Sequence, residues 1–179
     1  MAVGKSAEIL KNFKSKNVQN LQGKTVFPGL IDAHCHFTGY ATDKWKCELW
    51  GTKSWDEIIG RISEYAKTAP KEWLYGRSWD QNDWADKNYP DNSRLDSLFP
   101  DRPVYLKRID GHAAIANSKA LELAGITAST SVNGGQIVLK DGKPTGVLVD
   151  NAMSLVEVKI PTIDEKLAIK YFDDMQKQC

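Results

Sequence analysis

The chain has 179 residues, of which 41% are hydrophobic, so it is long enough for one ordinary domain with a buried core and too apolar for a disordered tail. Its 24 Lys and Arg residues balance 23 Asp and Glu residues. The formal charge of +1 excludes a general electrostatic attraction to nucleic acid or to anionic membranes, and it favours small neutral or mixed-charge molecules as partners.

The first 37 residues predict one helix and three strands. A short helix is predicted over residues 7–13, and two short strands are predicted over residues 18–27, broken at Gly23. The stretch PGLIDAHCHF, residues 28–37, predicts a further strand, because an apolar run follows Pro-Gly and then alternates with polar residues.

The last predicted strand carries a His-x-His pair. Side chains two apart in a strand point to the same face, so His34 and His36 lie together with Asp32, their attachment points roughly 6–7 Å apart. From there both imidazoles can reach one divalent metal at about 2.0–2.1 Å, with Asp32 as a candidate to orient a ligand. Imidazole suits copper, iron and nickel as well as zinc. The alternative is that both histidines are ordinary surface or core residues.

The rest of the chain predicts strands and helices that alternate. A helix is predicted over 55–68, opened by the capping box Ser54-Trp55-Asp56-Glu57, and it is followed by a strand over 72–79 and a loop over 80–91. Next come a helix over 93–99, a strand over 104–109 and a helix over 117–124 that ends at Gly125. The last elements are a hairpin with arms 134–139 and 145–149 around Asp141-Gly142, a helix over 151–158, and a helix from the capping box at 162–165 to Gln178.

This alternation predicts a parallel α/β architecture, since parallel strands need helical crossovers. No Gly-x-Gly-x-x-Gly follows a predicted strand, which removes the usual support for dinucleotide binding. Polar residues that could carry chemistry fall at or just after the carboxyl ends of predicted strands: His34, His36, Asp80, His112 and Asp150.

Four stretches resemble one known family in the right order. GKTVFPGLIDAHCHF resembles the first barrel strand of the metal-dependent amidohydrolase superfamily, and RSWDQNDW, RIDGHAAIANSKAL and GKPTGVLVDNAM resemble amidohydrolase family 3, which includes N-substituted formamide deformylases. The resemblance implies a (β/α)8 barrel. Since such a barrel typically takes about 250 residues, residues 28–179 are expected to be its amino-terminal half of about four βα units, and residues 1–27 a remnant of a small β-sandwich domain.

The resemblance also implies a metal site with one or two ions, zinc being preferred. His34 and His36 would hold the metal, and Asp150 would take the place of the bridging carboxylate, acting in catalysis as well as in metal binding. The family's other ligands lie on the fifth, sixth and eighth strands, which this chain does not reach in our interpretation. The alternative for Asp150 is that it caps the helix beginning at Asn151.

Further site residues carry two interpretations each. His112 is expected to be catalytic through a substrate or oxyanion contact, or else to be fixed structurally by Asp110. A pocket for an apolar or aromatic N-substituent would use Arg77, Trp79, Asp80 and Trp84, which could equally pack a loop against the barrel. Arg108 and Asp110 would bind substrate or form an ion pair with each other.

We therefore expect a hydrolase that uses a metal-activated water to cleave a carbon–nitrogen bond other than a peptide bond, in a small amide or N-formyl substrate. The 179 residues are expected to be a truncated portion of such an enzyme and to be inactive on their own. The alternative is a catalytically inactive fragment that acts only as a binding or assembly module. In either case the open sheet edges of a half-barrel favour a homo-oligomer.

The three cysteines, Cys35, Cys47 and Cys179, are odd in number and lack Cys-x-x-Cys spacing, which argues against a disulfide scaffold and favours a reducing compartment. No run approaches the roughly 18 apolar residues of a membrane span, and the first residues lack the apolar core of a signal peptide. We predict a cytoplasmic protein.

Overall fold

The structure of the protein is a computed structural model that describes residues 2–69 and 72–177. Contacts divide the chain into two compact units, one ending at Cys35 and one beginning at His36. The predicted domain boundary after residue 27 stays a prediction.

The first unit contains helix α1 (Ser6–Asn12), which confirms the helix predicted over residues 7–13. The strands predicted over residues 18–27 and 28–37 are wrong, since residues 13–35 form turns and irregular backbone. Leu30 and Ile31, which the alternating pattern would bury on opposite faces of a strand, are 101% and 91% exposed. Within the described residues no strand pairs with this segment, and alternation alone does not hold a lone strand together.

The second unit contains a six-stranded sheet and six helices within its described residues. The strands are β1 (Cys47–Glu48), β2 (Leu74–Trp79), β3 (Val104–Arg108), β4 (Ala113–Ala116), β5 (Gly135–Lys140) and β6 (Lys143–Asp150). The helices are α2 (Phe37–Thr42), α3 (Trp55–Tyr65), α4 (Ser93–Leu98), α5 (Ser118–Leu123), α6 (Ser154–Glu157) and α7 (Glu165–Gln176), and short 3₁₀ turns lie at Asp43–Trp45, Gln81–Asp83 and Asn151–Met153.

The sheet is mixed, with strand order β1-β2-β3-β4-β6-β5. The first three strands are parallel to one another, and β4 is antiparallel to both of its neighbours. Because two reversals restore the original direction, β6 runs parallel to β1, β2 and β3. The expected parallel α/β sheet is therefore correct for four strands, and the carboxyl ends of these four strands lie at one edge of the sheet.

The sheet buries both faces. One face packs against α3 and α4 through a core that includes Ile58, Ile62 and Leu106, and the other packs against α5 and α6 through a core that includes Tyr105. Helix α3 begins as predicted, since the Ser54 hydroxyl accepts the Glu57 backbone N–H at 3.2 Å. The helices thus hold the sheet from both sides and leave the carboxyl edge to the loops.

Two local predictions have different outcomes. The hairpin is confirmed, with Asp141 at φ 51° and Gly142 at φ 73°, the left-handed pair that a two-residue turn between strands requires. Helix α7 is capped by Asp164, whose carboxylate accepts the Leu167 N–H at 2.8 Å, so the capping box predicted to begin at Thr162 is wrong. The predicted end of this helix at Gln178 lies outside the described residues.

Among residues 2–69 and 72–177, none of the helices has both the length and the apolar character that crossing a bilayer requires.

Candidate functional site

The carboxyl edge of the sheet gathers most of the predicted site residues of the second unit. Asp80 follows β2, and Arg108 is the last residue of β3. His112 precedes β4, and Asp150 is the last residue of β6. Since β4 pairs with β6 in the register Ala113 to Val149, the antiparallel strand brings His112 back to the edge at which β6 ends.

His112 and Asp150 contact each other twice. The imidazole Nδ1 lies 2.9 Å from the Asp150 carboxylate, and the Asp150 backbone N–H donates to the His112 carbonyl at 3.0 Å. Their side chains are 73% and 48% exposed, so solvent and a small molecule can reach both. The carboxylate of Asp150 is directed to His112 rather than to the 3₁₀ turn that follows, which disfavours the helix-cap interpretation.

Asp150 also has a backbone conformation that residues other than glycine rarely adopt, with φ 48° and ψ −125°. Positive φ at a residue other than glycine costs of the order of 1–3 kcal/mol and persists only where the surroundings enforce it. Here the paired strands β4 and β6 enforce it, and the strained residue is the one that carries the candidate catalytic carboxylate.

Asp110 links His112 to β3. Its carboxylate accepts the His112 backbone N–H at 3.0 Å and the Arg108 Nε–H at 3.0 Å. Arg108 also donates to the Tyr89 hydroxyl at 2.9 Å and to the Gln81 side chain at 3.4 Å. Because the guanidinium is engaged by three protein side chains, the ion-pair interpretation of Arg108 and Asp110 is favoured over direct substrate contact.

The ion pair shifts both pKa values. Burial is the largest single influence on Asp110 and raises its pKa, but the hydrogen bonds and charge of Arg108, with the N–H of His112, outweigh burial, so the pKa is lowered overall. Burial lowers the pKa of Arg108, and Asp110 with other nearby groups more than reverses this. The pair is therefore ionised throughout the neutral range.

The lowered pKa of Asp110 predicts acid sensitivity. A carboxyl group that binds its proton less readily in the folded state stabilises the fold above its unfolded pKa of about 3.9, and this contribution is lost as pH falls through the folded pKa. We expect Asp110→Asn to flatten the decline in the free energy of unfolding below about pH 5. Urea denaturation at a series of pH values measures this. In an Arg108→Gln background the same change should have little further effect, and an unaltered acid limb in Asp110→Asn would contradict the assignment.

Trp79 and Trp84, the aromatic residues predicted to wall a pocket, are packed and hydrogen-bonded within the protein. Trp79 is fully buried, and its indole N–H donates to the Leu106 carbonyl at 2.8 Å. Trp84 is 6% exposed, donates to the Thr52 carbonyl at 3.1 Å and stacks on Trp79 with ring centroids 5.8 Å apart. The packing interpretation therefore accounts for both rings.

Arg77 and Asp80, the two charged residues of that predicted pocket, contact other polar side chains. Arg77 forms an ion pair with Asp43 and donates to the Ser78 hydroxyl at 3.2 Å. Asp80 accepts the backbone N–H and the side-chain amide of Asn82, each at 2.9 Å. A substrate contact for either residue stays a prediction.

The predicted metal ligands His34 and His36 lie on either side of the boundary between the two units in sequence. His34 and His36 are exposed, lie on irregular backbone and fall in different units, and Asp32 accepts the backbone N–H of His34 at 3.0 Å. Across residues 2–69 and 72–177 no group of three or more His, Cys, Asp or Glu side chains is arranged to hold a metal ion. A metal-binding role for His34 and His36 stays a prediction.

The partners of Arg108 are distant from it in sequence. Tyr89 and Gln81 lie in the loop after β2 and reach Arg108 from 19 and 27 positions away in sequence. No local pattern marks such pairs, because the pairing depends on the fold of that loop.

Cys47 is a buried thiol on β1, and burial is the main reason that its pKa rises to about 11, with smaller opposite effects from Arg61 and Glu48. A raised pKa leaves little thiolate, the reactive form, near neutral pH. With Cys35 and Cys179 changed to serine, we expect Cys47 to react with a disulfide reagent about 10²-fold more slowly in the folded than in the denatured chain. The matched variant that retains only the exposed Cys35 should react rapidly in both states. Equal folded-state rates for the two variants would contradict this expectation.

Comparison with known proteins gives a consistent family. The profile of the amidohydrolase family matches residues 17–179. The putative amidohydrolase YtcJ of Bacillus subtilis (strain 168) is 36% identical over 163 residues, which is 89% of this chain and 31% of that protein. The N-substituted formamide deformylase of Arthrobacter pascens is 34% identical over 78% of this chain and 27% of that enzyme.

A solved structure shares the fold. An uncharacterized metal-dependent hydrolase from Pyrococcus furiosus superposes with a TM-score of 0.55 at 24% identity, over 84% of this chain and 29% of that one. The chain therefore spans less than a third of the length of the relatives that it matches.

Proposed function

The chain belongs to the amidohydrolase family, and from this premise we propose that the protein is a metal-dependent hydrolase of a carbon–nitrogen bond other than a peptide bond. The proposed substrate is a small molecule with an amide or N-formyl group. The named activity of the Arthrobacter pascens relative supports this class. The observation that carries the proposal is the family match over residues 17–179, within which His112 and Asp150 meet at the carboxyl edge of the sheet.

His112 is the residue whose chemistry can be stated most directly. Its Nδ1 faces the Asp150 carboxylate, which fixes the orientation of the ring. The Nε2 atom is then the ring nitrogen left to contact a substrate carbonyl or a departing amine, as a partner in proton transfer or charge stabilisation. Asp110 accepts the backbone N–H of His112, so Asp150 and Asp110 together position the imidazole.

The family implies a divalent metal, for which we propose zinc, as one or two ions, with His34, His36 and Asp150 as ligands. Within residues 2–69 and 72–177 no group of three or more such donors is arranged to hold a metal ion, and the two histidines lie on irregular backbone. The donor types themselves, imidazole and carboxylate, are those that zinc takes in catalytic sites.

The test uses elemental analysis of the purified chain together with hydrolysis of a panel of small N-formyl amines and N-acyl amines. We expect metal to be lost in the His34→Ala/His36→Ala variant, and Asp150→Asn to lower kcat/KM by at least about 10²-fold. Asp101→Asn, a change at an exposed carboxylate, is the matched control and should retain both properties. A chain with neither metal nor turnover would overturn the proposal and support a non-catalytic binding or assembly module.

Two finer proposals concern architecture and location. We propose that the sheet belongs to a (β/α)8 barrel, which the crossovers through α3 and α4 and the common carboxyl edge support. The residues up to position 27 would be a remnant of a β-sandwich domain. A cytoplasmic location is proposed from the free thiols Cys35 and Cys47.

We also propose association of copies through the sheet edges. Strand β5 is the last strand of the sheet, and Leu139 on it is 45% exposed. An edge strand offers backbone groups to another chain, and a charge on it discourages such pairing. Light scattering should therefore give a mass that rises with concentration in the wild type and falls towards the monomer in Leu139→Lys. A monomeric mass at all concentrations would contradict this proposal.

A further inference from the structure

A cleft of about 470 Å³ lies between the loops that follow β1 and β2. One wall comes from the start of α3, with Lys53 and Trp55, and the other from residues 84–91, with Trp84, Tyr89 and Pro90. Its volume is within the range of small-molecule sites, about 300–1,000 Å³. Loops at the carboxyl edge of parallel strands are where α/β proteins place such sites.

The walls of the cleft are aromatic and fixed. Trp84 is held by the hydrogen bond from its indole N–H to Thr52 and by stacking on the buried Trp79. The ring of Trp55 lies 6.2 Å from that of Trp84, tilted by 40°. Tyr89, which is 40% exposed, meets Trp79 edge-on at 6.3 Å. These contacts present ring surface from two loops without requiring rearrangement.

The charged groups around the cleft already have protein partners. Lys53 lies 3.9 Å from the Asp83 carboxylate, and Arg94 forms an ion pair with Asp56. Asp91 accepts the backbone N–H and the hydroxyl of Ser93, and Asp86 accepts the backbone N–H of Asn88 at 3.0 Å. A charged ligand would have to compete for these groups, whereas a neutral ring gains the aromatic contacts without that cost.

The cleft is connected to the candidate site through hydrogen bonds. The Tyr89 hydroxyl accepts from Arg108, which pairs with Asp110. Asp110 in turn accepts the backbone N–H of His112, whose ring contacts Asp150. The cleft wall and the candidate catalytic residues are therefore held in a fixed relation to each other.

We propose that this cleft binds a neutral, planar aromatic group of a small molecule. The proposal stands on the cleft itself and does not rest on the proposed function. Of the residues predicted from the sequence to wall a pocket, Trp84 lines this cleft, together with Trp55, Tyr89 and Pro90.

The test measures binding rather than turnover, on the full 179-residue chain. Benzyl alcohol is titrated as a neutral aromatic probe and observed by saturation-transfer difference NMR, beside benzoate and benzylammonium. We expect the neutral probe to bind most tightly and Trp55→Ala to weaken it by about tenfold. Trp50→Ala is the matched control, because Trp50 is 67% exposed and lies outside the cleft.

A second variant keeps the test independent of folding defects. Ala85 is an exposed residue of the cleft lining, so Ala85→Leu fills the cleft without removing a buried contact and should also weaken the probe. An equal loss in Trp50→Ala, unchanged binding in Ala85→Leu, or tighter binding of either charged probe would overturn the inference. Probe binding without hydrolysis would support the cleft as a binding site and contradict the proposed function. Hydrolysis without probe binding would support the proposed function and contradict the cleft as a binding site.

Discussion

Replacing Asn117 with alanine is expected to lower the free energy of unfolding by about 4 kcal/mol, a large share of the roughly 5–15 kcal/mol of a typical domain. Asn117 is fully buried, and its side chain makes four hydrogen bonds. Its amide oxygen accepts the N–H groups of Val104 and Ala120, and its amide nitrogen donates to the carbonyls of Phe99 and Arg102. Alanine would leave these backbone groups buried without their partner.

Urea denaturation followed by circular dichroism measures this loss. Asn133→Ala, at an exposed asparagine, is the matched control and should change the free energy of unfolding by less than about 0.5 kcal/mol. Asn117→Asp keeps the oxygen that accepts both N–H groups but turns a carboxylate oxygen towards the carbonyls of Phe99 and Arg102, so it should cost at least as much as Asn117→Ala. A loss in Asn117→Ala no greater than in the control would mean that water replaces the side chain.

Gly146 on β6 is expected to be the second large effect, with Gly146→Ala costing about 3 kcal/mol. Its φ of 91° is one that L side chains rarely adopt, and a Cβ would lie 2.4 Å from the Ala116 carbonyl oxygen and 2.7 Å from the Asn92 Cβ. Both obstacles belong to packed elements that cannot swing aside as the end of a long side chain can. The change therefore combines backbone strain with a forced separation of β6 from its neighbours.

The hairpin glycine provides the control for this prediction. Gly142 has φ 73° but no atom within 4 Å of a Cβ, so Gly142→Ala keeps the strain and removes the steric term. We expect a cost of about 1 kcal/mol there. Thermal and urea denaturation of both variants separate the two terms, and equal losses would show that crowding at Gly146 contributes nothing.

Local signals predicted the elements that local interactions specify. Helix α3 has its capping residue, Ser54, and its buried face, with Ile58 and Ile62, within 11 positions of each other. The hairpin of β5 and β6 has its turn residues between its arms. In such elements the residues that form the sequence pattern also make the stabilising contacts.

Elements whose stability comes from distant partners were missed. Strand β4 is the alanine-rich stretch AAIA, which has little intrinsic preference for a strand and is held by β3 and β6. The segment over residues 28–35 shows the opposite case, since it alternates as a strand should and remains irregular. A pattern indicates which face a strand would bury, and a partner decides whether the strand forms.

The candidate site was predictable in its residues and only partly in its arrangement. His112 and Asp150 were predicted from the family resemblance and from their places at or just after predicted strands, yet their contact joins positions 38 apart and depends on the pairing of β4 with β6. The role of Arg108 was open in the sequence, and its contacts with Tyr89 and Gln81, supplied by the loop after β2, favour the ion pair with Asp110. The alternation of strands and helices predicts which edge of the sheet carries the candidate site. Which side chains contact each other at that edge depends on the pairing of strands that are distant in sequence.

The reversal of β4 has a practical consequence for work on this protein. Because β6 starts at the end of the sheet opposite the candidate site, the tip of its hairpin, Asp141-Gly142, lies at the far end of the sheet from Asp150. Exposed tips of tight turns tolerate added residues better than elements do. A fluorescent label, an affinity tag or an inserted peptide at this tip would report on the chain while leaving the carboxyl edge untouched.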